Sequence, residues 1–176
     1  FREELGAWLL EWAHTLNSRT GKTQKHDLLL VGPSAGYCLP FQFLQLFASI
    51  QVREPDPLAR WIFRRRFQRR WKSETPKTTQ SHLELSGEDF LRGDPSFSRL
   101  RTTLNRHPDC AILFCNCLGQ ISGELPLNWA TLIPDLLAGR PWASFHDRLS
   151  GNIRELIDHG TENFAPEVPA RYFSWE

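Results

Sequence analysis

Five short segments of this chain carry residues suited to holding a small ligand. The run Gly32-Pro33-Ser34-Ala35-Gly36 follows an apolar stretch. Small residues at a strand-to-helix turn let backbone amides approach a ligand, and the start of a following helix favours a carboxylate or phosphate. Glu54 stands twenty-two residues after Gly32, at the end of a second apolar stretch. An acid there accepts hydrogen bonds from both hydroxyls of a ribose. Asp89-Phe90 follows a third stretch, where a carboxylate suits an adenine amino group and a ring packs on the base. Asn116 follows a fourth stretch, and His146-Asp147-Arg148 a fifth, where an imidazole beside a substrate mouth is suited to general-base work. Taken singly, each has a commoner reading: a close-packed turn, a solvated acid, an aspartate or asparagine bonded to nearby backbone. Their recurrence at the ends of successive strands is what points to a nucleoside-like ligand.

The elements that must position these residues follow from apolar periodicity. Leu5, Trp8, Leu9, Trp12 and Leu16 recur at helical spacing. His26–Val31 reads as a strand buried on both faces of a parallel sheet. Tyr37–Phe47 is expected to be helical, with Pro40 tolerable only in its first turn. Ser49–Val52 is a second strand, and Leu58–Trp71 a helix capped by Asp56 with Pro57 at its first position. Lys72–Ser81 reads as a polar loop, His82–Leu85 as a strand, Pro95–Arg106 as a helix and Ala111–Cys115 as a strand. Leu127–Ala138 is expected as a helix closed by Gly139, then Ala143–His146 as a strand and Asn152–Asp158 as a helix, before the aromatic tail Phe164–Trp175. Alternating strands and helices imply an α/β fold with an open, mostly parallel, doubly wound sheet. One domain is expected: an N-terminal helix and linker over 1–25, a ligand-binding α/β core over 26–150, and a C-terminal helix and tail over 151–176. In such sheets ligands sit at the carboxyl ends of the strands, where the strand order reverses.

The segments LLLVGPSAG, REPDPLA, GEDF and AILFCN, in that order, resemble the class I S-adenosylmethionine-dependent methyltransferases over about Asp27–Asp147. The segment Glu54-Pro55-Asp56-Pro57-Leu58-Ala59 is the most similar to the family's pattern. The resemblance implies a Rossmann-like methyltransferase fold that binds S-adenosylmethionine and methylates an unspecified acceptor. It places Gly32, Ser34 and Gly36 along the methionine part of the cofactor, Glu54 on the ribose, and Asp89 with Phe90 on the adenine. It sets Asn116 beside the sulfonium, with His146 and Asp147 as further acceptor-site residues. The chain departs from the family pattern in four places. Leu30 replaces an acid two residues before the first loop glycine, and Ser34 replaces the middle glycine. Cys117-Leu118-Gly119 follows Asn116 where a Pro-Pro-aromatic run would grip a planar amino group, which disfavours adenine or glutamine N-methylation. Two final antiparallel strands are not evident after Gly151, so they are expected to have diverged or to be missing from the sequence as written. The lack of any Met in a chain beginning at Phe1 points the same way. Cofactor binding is therefore better supported than catalysis.

Other readings are narrower. Lys and Arg number 21 against 20 Asp and Glu, for a net charge of +1, so overall charge gives no argument for a nucleic-acid or membrane partner. The longest apolar runs, Leu28–Val31 and Ala111–Cys115, fall far short of the roughly 20 residues of a spanning helix. Cys38, Cys110, Cys115 and Cys117 lack metal or redox spacing and read as reduced thiols of a cytoplasmic protein. Gly21-Lys22-Thr23 precedes its strand and is no phosphate loop, and Ser34 lacks a GxSxG turn. A nicotinamide-binding domain would share the first turn and Glu54 but prefers a fuller GxGxxG. The densest charge is local: Arg60, Arg64, Arg65, Arg66, Arg69, Arg70 and Lys72 interleave with Trp61, Phe63, Phe67 and Trp71. Arginine forks on such a helix can track phosphates. The alternative to an enzyme is thus a non-catalytic module contacting RNA or protein through residues 58–72. The commoner reading of such a segment is a solvated helix whose long side chains lie over its neighbours.

Overall fold

The computed structural model of the chain describes residues 2–19, 25–74, 82–118, 128–145 and 174–175. The central strand β1 (Leu28–Val31) is buried at all four positions. It lies between β2 (Ser49–Arg53) and β4 (Ala111–Cys115), parallel to both, with Leu28 in register with Ile50 and Ala111. Beyond them are β3 (His82–Ser86) on one side and β5 (Trp142–Phe145) on the other, giving the order β3-β2-β1-β4-β5, all parallel. The order reverses direction between β1 and β4, the place where an open α/β sheet leaves a crevice for ligands. This is the expected Rossmann-like doubly wound sheet. Where two final antiparallel strands are expected to have diverged or to be missing, the described residues after Gly151 hold one short strand, β6 (Ser174–Trp175), antiparallel to Ala143 and Ser144 of β5. The intervening helix expected over Asn152–Asp158 lies outside the described residues.

The two faces of the sheet are covered unequally, and strand alternation explains how. One face presents Leu28, Leu30, Ile50, Val52, Ala111, Leu113, Cys115, Ala143 and Phe145, joined by Leu83 and Leu85 of β3. Helices α1 (Arg2–Arg19), α2 (Phe41–Leu44) and α3 (Pro57–Glu74) cover it. The other face presents Leu29, Val31, Ile112 and Phe114 to α4 (Ser98–Arg106) and α5 (Trp129–Leu137). On that second face β2 and β3 offer Gln51, Arg53 and Glu84 instead of apolar groups. Its outer half is therefore polar.

The first face owes its thickness to aromatic side chains. Phe63, Phe67 and Trp71 recur every four residues on α3 and are buried, as the periodicity implied. Phe67 stacks at 6.4 Å on Phe41, which also meets Trp71 edge-on at 5.6 Å. Trp12 of α1 stacks at 6.2 Å on Phe43. Each such pair is worth about 0.5–1.5 kcal/mol beyond the burial of its area. The helix expected over Tyr37–Phe47 is instead the single turn of α2, beginning after Pro40. Phe41, Phe43, Leu44 and Phe47 are all buried, so the run is apolar because it fills the core and not because it is a long helix. Asp56 caps α3 as expected, its Oδ1 accepting from the amides of Leu58 and Ala59. Helix α3 runs on to Glu74, three residues past the expected end.

Helix α4 is held at its start by Asp94. Its Oδ2 accepts from the Arg99 amide and the Ser98 hydroxyl, and its Oδ1 from the Ser96 hydroxyl. These bonds bracket Phe97, buried at φ +51° in the left-handed region that a bulky residue rarely adopts. The Arg99 amide above all, with the Ser98 and Ser96 groups, outweighs burial and holds the Asp94 carboxyl well below the ordinary carboxylate range. A pKa lower in the folded state stabilises fully above the unfolded value, near pH 4, and the gain fades as pH falls through the folded value. Asp94→Ala is expected to cost about 1 kcal/mol at neutral pH, with the gap to the parent narrowing in acid below the carboxylate range. Denaturant unfolding of both proteins at the two pH values measures this.

Candidate functional site

A cavity of about 260 Å³ opens at the carboxyl ends of the strands, just below the roughly 300–1,000 Å³ of small-molecule sites. Val31 and Gly32 at the end of β1, Arg53 and Glu54 at the end of β2, Asp89 to Arg92 after β3, and Cys117 after β4 line it. Glu54 is the organising group. It is only 7% exposed, and an ionised carboxylate survives burial only when it is hydrogen-bonded. Its Oε2 accepts from the Ser34 amide at 2.7 Å and its Oε1 from the Asp56 amide at 3.0 Å. The carboxylate thus ties the turn after β1 to the entry of α3. A carboxylate has about four lone-pair sites, so each oxygen retains one for a ligand hydroxyl. Ser34 adopts φ +50° to reach Glu54, a conformation costing a non-glycine residue on the order of 1–3 kcal/mol.

The sequence-derived residues divide clearly once placed. Gly32, Ser34, Glu54, Asp89 and Phe90 all line the cavity. Gly32 has φ +65°, and a Cβ there would come within 2.9 Å of the Cys117 side chain, so it also lets the β1 and β4 turns close together. Gly36 does not line the cavity. It has φ +69°, and a Cβ there would meet Phe63 and Phe67 at 2.7–2.8 Å, which makes it a packing glycine beneath α3. The expected helix start behind the turn is also absent, since Pro40 precedes only the one-turn α2. Asp89 caps the turn after β3 by accepting at Oδ1 from the Leu91 and Arg92 amides, leaving Oδ2 without a partner among the described residues. Phe90 is 1% exposed and belongs to the core beneath the cavity. Asn116 turns the chain after β4 at φ +53°, its amide donating to the Phe145 carbonyl, and lies outside the cavity lining. His146 and Asp147 lie outside the described residues.

Arg53 is the lining residue that motif reading missed. Its guanidinium donates to Glu84 and Gln51 at 3.0 Å each, stands 3.9 Å from Glu88, and lies over the Phe90 ring at 5.7 Å. The polar alternation Gln51-Val52-Arg53 was the available signal, because it sets two polar side chains on one face of an interior strand. Across the lining, Glu54, Asp56, Glu88 and Asp89 face Arg53 and Arg92, four carboxylates against two guanidinium groups. Cys117 adds no reactivity. Burial pushes its thiol up to about 12, and its Sγ donates to the Val31 carbonyl. A neutral buried thiol is a poor nucleophile. Cys38, Cys110 and Cys115 likewise form no disulfide among the described residues. No helix among the described residues is long and apolar enough to cross a membrane.

No protein-family model matches the sequence, and no curated protein matches it either. Among solved structures, the chain is similar to the glycopeptide N-methyltransferase MtfA complexed with (S)-adenosyl-L-methionine, with 19% identity and a TM-score of 0.41. The match covers 77% of this chain and 53% of that one. A second structure of MtfA gives the same identity and TM-score over 52% of its length. The chain thus spans about half the length of the structures it matches.

The packing role of Gly36 has a direct consequence. Gly36→Ala is expected to destabilise the protein by about 1–3 kcal/mol, through left-handed strain and overpacking against Phe63 and Phe67. Thermal unfolding measures this, and a variant melting like the parent would instead leave Gly36 free for a ligand role.

Proposed function

We propose that the chain is an S-adenosylmethionine-dependent methyltransferase domain whose cavity takes the nucleoside half of the cofactor. The observation that carries this is the acid-rich cavity at the carboxyl ends of β1 and β2, built around the buried Glu54 carboxylate. S-adenosylmethionine has a sulfonium and an ammonium against one carboxylate, so a lining with more acids than bases attracts it. The same lining repels the pyrophosphate of a nicotinamide dinucleotide. That ligand also needs a helix N-terminus behind the glycine turn, and here Pro40 and a one-turn helix stand in its place.

The fit is uneven along the ligand. Glu54 has acceptor sites for both ribose hydroxyls, and the open Oδ2 of Asp89 suits an adenine amino group. Val31 and Leu91 supply apolar walls to the same cavity. Phe90 serves from beneath, as a packed floor. For the methionine half, Gly36 is committed to the core and Leu30 offers no charge, so Gly32 and Ser34 are the remaining contacts from the first turn. When bound, the cofactor supplies an electrophilic methyl group for in-line transfer, a reaction catalysed chiefly by holding the two reactants in position. On this reading Asn116 orients the acceptor from the turn after β4. His146 and Asp147 follow β5 and are the residues proposed to bind the acceptor and take up its proton. The neutral thiol of Cys117 does not compete for the methyl group.

Calorimetry on the full chain tests the reading. Asp89→Asn keeps the Oδ1 that caps the turn and replaces only the open oxygen with an amino group. It is expected to weaken S-adenosylmethionine binding about tenfold, about 1.4 kcal/mol, with unchanged thermal stability. Glu54→Gln is expected to abolish detectable binding and also to lower stability by about 1–3 kcal/mol, because one backbone amide then faces another donor. Equal affinity of parent and both variants, or no binding by the parent, rejects the proposal.

A further inference from the structure

The outward face of α3 does not line the cavity. From Leu58 to Trp61, to Arg64 and Arg65, and on to Gln68 and Arg69, each step is three or four residues, so these six share one broad stripe, on a different side from buried Phe63, Phe67 and Trp71. Leu58 is 62% and Trp61 56% exposed, rare values for large apolar side chains among the described residues. Arg64, Arg65 and Arg69 are exposed and have no acidic partner among the described residues. The only acid on the helix is Glu74, its last residue. Trp61, Arg64, Arg65, Gln68 and Arg69 line one shallow recess of about 230 Å³, and the Arg65 guanidinium lies 5.4 Å from the Trp61 ring centre. Arg60 does not belong to this set: it donates to the carbonyls of Glu54 and Pro55 and so is tied to the turn that enters α3.

A row of cations with no acidic partner among the described residues, and an exposed indole among them, matches a polyanion that also carries planar rings. Arginines four residues apart on a helix have Cβ atoms about 5–6 Å from each other, and any base offers a face for stacking on tryptophan. An acidic peptide would satisfy the arginines and leave the indole in water. The helix also starts next to the cavity, because Asp56, which lines it, immediately precedes Pro57. From there to Arg69 the helix rises about 18 Å. We propose that this face of α3 is a docking track for single-stranded nucleic acid leading to the cavity. As the acceptor class of the methyl transfer, this rests on the reading above; as a binding surface, it does not.

The test is fluorescence anisotropy on the full chain without cofactor, using labelled oligouridylate and oligothymidylate of about a dozen nucleotides and a duplex of equal length. Single strands are expected to bind with an affinity falling between about 50 and 200 mM salt, at a logarithmic slope of about −2 for three phosphate contacts. Replacing Arg64, Arg65 and Arg69 together by Gln is expected to remove that slope, and Trp61→Ala to weaken binding about tenfold. All four side chains are exposed, so melting temperatures should match the parent and act as the folding control. Tighter binding of the uridine or of the thymidine strand supports the track and identifies RNA or DNA as the source. The proposal is overturned by no binding, by equal affinity for the duplex, by unchanged binding in the triple variant, or by displacement with polyglutamate as effective as with unlabelled oligonucleotide. S-adenosylmethionine binding measured separately tells the two readings apart. If it persists while oligonucleotide binding fails, only the track falls. If it fails while oligonucleotide binding holds, the track stands without its link to methyl transfer.

Discussion

The buried carboxylate of Glu54 is the constraint on which the site depends. A charge in that position is tolerable only because two backbone amides, from Ser34 and Asp56, donate to it. Those bonds in turn explain the shape of both flanking segments. Ser34 takes a left-handed conformation to aim its amide inward, and the chain after β2 turns sharply enough for Asp56 to cap α3. On the proposed reading, structural and ligand-binding roles are joined in one side chain: the oxygens that hold the turn would also receive a ribose.

The rest of the site follows from how the sheet is covered. Three helices and a dense aromatic layer seal one face from β3 to β5, while the apolar cover of the other face reaches only β1, β4 and β5. Over β2 the second face carries Gln51 and Arg53, with Glu84 and Glu88 beside them. This polar border lets water and charged ligands approach the carboxyl ends of the strands. It also leaves the cavity lining with four acids against two bases, which on the proposed reading favours a cationic nucleoside over a dinucleotide.

Much of the fold was legible because it rests on local signals. Leu28–Val31 and Ala111–Cys115 are apolar without interruption since each strand is buried on both faces, and the four-residue recurrence of Phe63, Phe67 and Trp71 has only one helical solution. The failures are non-local. Tyr37–Phe47 reads as a helix because periodicity cannot tell a long helix from one turn followed by core-filling residues. Gly36 resembles a ligand-binding glycine until Phe63 and Phe67, almost thirty residues later in the chain, are seen against it. Arg53 stood in plain view, yet its meaning depended on strand order and on Glu84 and Glu88, which no local pattern connects to it. Of the residues proposed for the chemistry itself, Asn116 is placed at a turn after β4, and His146 and Asp147 lie outside the described residues.

The central claim is that Glu54 and Asp89 together receive an adenosine while Glu54 keeps its hold on the turn. A crystal structure of the full chain grown with S-adenosylmethionine tests this most directly. The account predicts ligand density in the cavity with both ribose hydroxyls on the Glu54 carboxylate, the adenine amino group on Asp89 Oδ2, and the Ser34 and Asp56 amides still bonded to Glu54. Density for the ligand at another place on the molecule, or an empty cavity at saturating ligand, would contradict it.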